Sequence, residues 1–173
     1  HFANWAFWFS KSGDFISSSF YGDKMPDWVT KFNSEKHYMD YIQKGWSLLK
    51  PATDYNESLP DDNPYEGKID KSKGPIFPYD LNKLYKETGA DILRTTPFGN
   101  DLLADIALQA IESESLGKDN DTDFLTVSFS STDYVGHTFG PRSMEIQDTY
   151  LRLDLTLARI FDYLDRKVGK DNY

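Results

Sequence analysis

The spacing of hydrophobic and polar positions changes several times along this chain, and each change predicts an element. "FWFSKSGDFISSSFY" sets two aromatic and β-branched runs about a Ser-Gly-Asp turn, the pattern of a β-hairpin. Pro26 and Asp27 then open a helix through "DWVTKFNSEKHYMDYIQKGW", with Trp28, Phe32, Tyr38, Tyr41 and Ile42 at near-helical spacing. Between Pro51 and Asp80 the periodicity dissolves into proline and turn clusters such as "PDDNPYEGK", which predicts a long loop or lid. "YDLNKLYKETG" is a short amphipathic helix stopped by Gly89.

The second half is more regular. "ADILRTTP" predicts a short strand leading into a turn. "GNDLLADIALQAIESESLG" predicts a helix with Asn100 as N-cap, Asp101 near its positive end, Gly117 as C-cap, and an apolar face of Leu102, Leu103, Ile106, Ala110 and Ile111. "DFLTVSFS" is nearly continuous in β-branched and aromatic residues, as expected of a strand covered on both faces. After it, Ser143 caps a helix in which Ile146, Tyr150, Leu153, Leu157, Ile160 and Leu164 form a stripe expected to pack in the core. Residues 91–173 therefore predict strand, helix, strand, loop and long helix, part of a layered α/β sheet. Residues 1–90 differ in texture, rich in aromatics, Pro and turn signals.

Composition narrows the chemistry. Lys+Arg against Asp+Glu is 19 against 28, a net charge of −9, which argues against nucleic acid or anionic lipid as a partner. An anionic substrate would need a local positive centre to overcome that field. There are no cysteines, so disulfides, thiolate metal sites and cysteine nucleophiles are excluded. No apolar run reaches transmembrane length. The chain opens "HFANWAFWF", without initiator Met, basic segment or cleavage pattern, as expected of an internal fragment of a longer polypeptide. The aromatic residues, spread through strand-like and helix-like segments, are expected to pack rather than stack on a carbohydrate.

Most candidate motifs fail on inspection. "KDNDTDF" spaces Asp119, Asp121 and Asp123 like the start of a calcium loop, but Phe124 stands where the loop needs Gly and Ser130 where it needs Glu. His37 falls on a surface helix beside Lys36 and Asp40, and His1 has no interpretable neighbourhood. What remains is Asp133, Gly136 and His137. A carboxylate and an imidazole are both zinc donors, and a loop following a buried strand is where α/β sheets collect ligands. Gly136 and the later Gly140-Pro141 predict a tight loop that turns His137 back toward Asp133, with Tyr134 and Val135 packed against the sheet. A hydrogen-bonded histidine in a polar loop would have the same spacing.

The stretch "DFLTVSFSSTDYVGHTFGPRSMEIQDTYLRLDLTLARIFDYLD" resembles the alkaline phosphatase superfamily, and is most similar to its phosphate-irrepressible, single-polypeptide zinc alkaline phosphatases, relatives of the nucleotide pyrophosphatase/phosphodiesterases. "TTPFGNDLLADIALQAIESESLG" fits the same pattern, and "KSGDFISSSFY", "PDWVTKFN" and "GPIFPYDL" resemble the intervening cap region. The resemblance implies that Asp133 and His137 are ligands to one of two neighbouring zinc ions (Zn2+), and that phosphate esters are hydrolysed through a Ser or Thr nucleophile. The nucleophile and the remaining ligands match nothing in this chain, so no catalytic residue is assigned and the fragment alone is expected to be inactive. Arg142 matches no family position and is expected to be solvated. A periplasmic or secreted location follows from the resemblance alone. Two other readings stay open: a phosphodiesterase or nucleotide pyrophosphatase, and a non-catalytic packing or binding module that keeps the loop as scaffold.

Overall fold

The order of elements follows from a few punctuating residues. In the computed structural model, which describes residues 3–173, Trp8–Phe9 (β1) and Phe15–Ile16 (β2) pair antiparallel, with Trp8 opposite Ile16. Gly13 makes the hairpin turn at φ 98°, and a Cβ there would meet the Tyr38 ring at 2.5 Å, so only glycine suits it. The Asn33 side chain completes the edge like a third strand. It accepts the Phe15 N–H and donates to the Phe15 carbonyl, both at 2.8 Å.

The helical stretch predicted from Asp27 is two helices, Asp27–Glu35 (α1) and Tyr38–Lys44 (α2). Lys36 breaks it in the left-handed region, φ 51°, its N–H bonded to the Asn33 carbonyl. Val29, Phe32, Tyr38 and Ile42 from both pieces are thereby buried in one core. Leu81–Thr88 (α3) forms as expected, capped by Asp80, whose carboxylate accepts the Lys83 N–H, and closed by Gly89. A backbone pair between Trp46 and Tyr79, with N–H to O distances of 3.0 and 2.8 Å, closes the base of the long loop between them. That loop carries only a 3-10 turn at Ala52–Asp54. Its backbone is strapped down: the Leu59 N–H donates to the Arg142 carbonyl and the Gly67 N–H to the Thr138 carbonyl, both at 2.8 Å.

Two predicted strands do not form. Gly89–Thr95 is a 3-10 helix, because the space between α3 and the next helix is crossed by a compact turn that buries Ala90, Ile92 and Leu93 together. The β-branched "ADILRTTP" yields to that packing. Residues 122–129 take no regular secondary structure and have no ladder partner, and Phe124 is 94% exposed. Their β propensity stands, but a strand needs a neighbouring backbone, and no described segment lies alongside.

Phe98–Ser113 (α4) begins one residue after Pro97, whose φ of −60° starts the helix, so Asn100 lies inside the first turn and is not the cap. Its C-cap is Glu114. Gly117, at φ 71°, belongs to the turn beyond. Met144–Lys167 (α6) has the expected Ser143 cap, with Oγ accepting the Ile146 N–H at 3.1 Å.

The predicted α6 stripe is not a core seam along its length. Ile146 is buried, Leu153, Leu157, Ile160 and Leu164 are half-buried, and Tyr150 is exposed. The helix packs on α4 through the adjacent polar face instead. Thr156 donates to Asp101, Arg159 to Asp105 at 2.6 Å, and Tyr163 to Glu112 at 2.6 Å. These partners lie at i, i+3 and i+7, one stripe of a helix. The apolar core sits elsewhere, around Trp46, Tyr79, Leu81, Leu84, Leu93, Phe98 and Val135, and burying each large side chain there contributes about 1.5–3 kcal/mol.

Candidate metal centre

Asp133 and His137 lie on a helix, not in a tight loop. Ser131–Phe139 (α5) is continuous, and Gly136 takes ordinary helical geometry within it. The reason is packing at i, i+4 and i+8: Ser131, Val135 and Phe139 are all buried. Phe139 packs near the Trp46 and Tyr79 rings, with centroids at 6.1 and 5.9 Å. That burial outweighs the lower helix propensity of a single glycine, about 1 kcal/mol. The helix stops at Gly140, φ 94°, whose N–H closes on the Gly136 carbonyl at 2.9 Å.

With one face buried, the opposite face must carry Asp133 and His137 outward. His137 Nε2 lies 3.4 Å from Asp133 Oδ1, and their side chains are 82% and 73% exposed. They face an open concavity of about 570 Å3, bounded also by Phe129, Thr132, Pro141 and Tyr150. The expected apolar packing between them is half present: Val135 is fully buried, whereas Tyr134 is 44% exposed.

The donor chemistry of the pair suits zinc, a carboxylate oxygen and an imidazole nitrogen presented together. It amounts to two donors, and a catalytic zinc takes about three from protein. Among the described residues no group of three or more His, Asp or Glu side chains could hold a metal ion. The acidic turn at Asp119 to Asp123 is a polar turn, as expected. The Asp119 carboxylate accepts the Asp121 N–H at 2.9 Å, and Asp123 accepts the Gly117 N–H at 2.7 Å. Arg142 is exposed, His37 bonds Glu35 at 2.8 Å, and His1 lies outside the described residues.

Two features near α5 were not singled out as site residues. Asn100, 1% exposed, reaches from α4 to the start of α5. Its Oδ1 accepts the Ser131 N–H at 3.2 Å and its Nδ2 donates to Thr132 Oγ1 at 3.0 Å. The quoted "TTPFGND" contained the residue, but an Asn beside a helix start looks like a cap until its partner, 31 residues on, is placed. The second feature is a set of buried acids behind α5. Glu145, in the first turn of α6, is fully buried. Its Oε1 accepts the Tyr79 hydroxyl at 2.5 Å, while Oε2 has no partner. Glu66 Oε2 and Asp61 Oδ1 are likewise buried and unpartnered. Burial, reinforced for Glu66 by Glu145 and then Asp61 and Asp62, pushes the Glu66 carboxyl up to about 8. Burial pushes Glu145 up to about 7, partly opposed by the Tyr79 hydrogen bond.

The architecture is that of an α/β protein. The chain superposes on a crystal structure of wild-type alkaline phosphatase PafA with a TM-score of 0.93 and 48% identity, covering 96% of this chain and 32% of that one. The chain belongs to the type I phosphodiesterase/nucleotide pyrophosphatase family, whose model matches residues 1–173. It is 49% identical over 176 residues to a Myroides odoratus protein named calcium-transporting ATPase, covering 100% of this chain and 32% of that protein. To alkaline phosphatase PafA of Elizabethkingia meningoseptica it is 49% identical over 170 residues, covering 97% of this chain and 31% of that protein. The chain thus spans about a third of the length of these relatives. The expected kinship is borne out, and so is the fold class, although the strands expected within residues 90–97 and 123–130 are not paired here. No helix among the described residues is long and apolar enough to cross a membrane.

Proposed function

We propose that this chain is part of a zinc-dependent phosphomonoesterase and supplies two ligands, Asp133 and His137, to one of its two zinc ions. The observation that carries this reading is the joint presentation of the two side chains on the exposed face of α5, 3.4 Å apart, in a chain about half identical to an alkaline phosphatase. The remaining ligands and the Ser or Thr nucleophile come from polypeptide outside these 173 residues, since the described residues bring no third metal donor to this pair. When bound, zinc supplies a Lewis acid that polarises a phosphoryl oxygen. Its charge also offsets the repulsion between a phosphate ester and a chain of net charge −9. The work of the chain's own residues is to hold donors at fixed spacing: Val135 and Phe139 lock the helix from behind, so the pair in front needs no closure to form. Residues 1–90 serve as cap, and the enzyme works in the periplasm or outside the cell.

The test is His137→Ala in the full-length protein. Zinc content by mass spectrometry and p-nitrophenyl phosphate turnover are expected to fall together, by more than the 10–100-fold typical of outer-shell changes, while circular dichroism is unchanged. Lost turnover at full zinc content would refute the ligand role. The family's own description favours a second reading, a phosphodiesterase. Comparing kcat/KM for p-nitrophenyl phosphate and bis-p-nitrophenyl phosphate separates the two, with the monoester expected to be preferred.

A further inference from the structure

The helix that presents Asp133 and His137 has no side-chain cap of its own. Ser130, at the cap position, already has helical angles, and its side chain makes no cap hydrogen bond. Its hydroxyl is engaged instead with Ser128 Oγ at 2.8 Å. The first N–H groups of a helix lack internal partners, so some other group must fix this end. Asn100 does so from another helix. A carboxamide carries both an acceptor and an N–H donor on one head, and Asn100 uses both, on consecutive residues, immediately before Asp133.

Two facts make this contact more than incidental packing. Asn100 is 1% exposed in the first turn of α4, yet it turns both its polar groups to α5. The neighbouring residue is Gly99, where a Cβ would stand 2.1 Å from Ser131 Oγ and 2.8 Å from the Leu93 carbonyl. A side chain at 99 would press on the Leu93 carbonyl and displace the Ser131 hydroxyl at the start of α5. The close approach and the clamp therefore act on the same end of the helix. Asp133 follows the clamped pair directly, whereas the far end is pinned separately by Phe139.

We propose that Asn100, with Gly99 giving the room, is a positioning residue that sets the stance of Asp133 relative to His137 and so tunes the affinity and geometry of the zinc they hold. This inference rests on the zinc reading above. Released from the clamp, the first turn of α5 would swing about the Val135–Phe139 anchor, displacing Asp133 more than His137. A ligand shifted on the scale of an ångström is a different ligand set.

Cobalt substitution of the full-length protein tests it, because the visible absorption of bound Co2+ reports ligand geometry independently of turnover. In Asn100→Ala the cobalt Kd is expected to rise by about tenfold, and the saturated spectrum to change in intensity and position. Thr132→Val, which removes one of the two bonds, should shift both in the same direction by less, and Thr132→Ser, which keeps the hydroxyl, should restore them. Should Asn100→Ala fail to fold, the Thr132→Val and Thr132→Ser pair decides. A raised Kd with an unaltered saturated spectrum would mean general softening of the fold and would overturn the proposal. So would parental affinity and spectrum in Asn100→Ala and Thr132→Val, in a protein whose Asp133→Ala variant loses cobalt. If Asp133→Ala binds cobalt as the parent does, the zinc reading itself fails and this inference with it.

Discussion

Four carboxylates around the α5–α6 corner divide into two environments. Asp133 projects into solvent beside His137, on a helix face with nothing packed over it. Glu145, Glu66 and Asp61 lie behind the same corner, where the long loop is strapped to α5 and the turn after it, and each keeps one oxygen buried without a partner. The buried set carries the displaced proton affinities, which elsewhere often mark chemistry. Here they mark strain between a loop and a helix: desolvation disfavours the charged forms, and the acids crowd one another. The exposed pair, 3.4 Å apart, stands in solvent on the other side of the same corner. Asp148 shows what a comfortable buried acid looks like. It is fully buried but accepts from Trp46 at 2.8 Å, Tyr55 at 2.5 Å, the Leu49 N–H at 2.8 Å and Arg152 at 2.6 Å.

The largest expected effect comes from that satisfied acid. Asp148→Ala would strand four donors, and urea denaturation should show a loss of about 3–5 kcal/mol. A loss no greater than that of an exposed acid would erase the distinction between satisfied and unsatisfied burial. Next comes the strained set. Glu66 and Glu145, held near 8 and 7 in the fold against an ordinary 4.5, keep protons that the unfolded chain has already released. Stability contributed by this pair is therefore full below about pH 4.5 and declines as pH rises through the window up to about 8. Glu66→Gln removes much of that slope and should raise stability at pH 9 by about 1–3 kcal/mol, measured by urea midpoints across pH. A midpoint at pH 9 unchanged or lowered in the variant would show that the loop tolerates the ionised acid. Smallest is Asp133→Ala, expected to move the unfolding free energy of the metal-free protein by less than about 0.5 kcal/mol. A loss comparable to Asp148→Ala would put Asp133 among the structural acids and break the comparison from the other side.

Several elements were legible because their causes are local. The α6 start follows from one Ser hydroxyl, the end of α3 from one glycine, and the hairpin from Ser12-Gly13-Asp14 between aromatic runs. The four-residue interval between Asp133 and His137 was equally plain, and either a helix or a folded-back loop could bring such a pair together. Gly136 pointed to the loop, yet Val135 and Phe139 found a core and made the helix. Asn100 was misassigned for the complementary reason: its role depends on a hydrogen-bond partner far away in sequence.

Periodicity, caps and turns, the absence of thiol chemistry, the family, and a carboxylate and an imidazole one helical turn apart can all be read from residue order. Which way those residues face, which acids are left without partners, and whether a β-prone segment finds another backbone depend on the folded chain. The physical reason is that propensity and capping are settled within a few residues. Burial, desolvation and strand pairing depend instead on atoms brought close by the whole chain, and the same residues reverse their roles when those neighbours change.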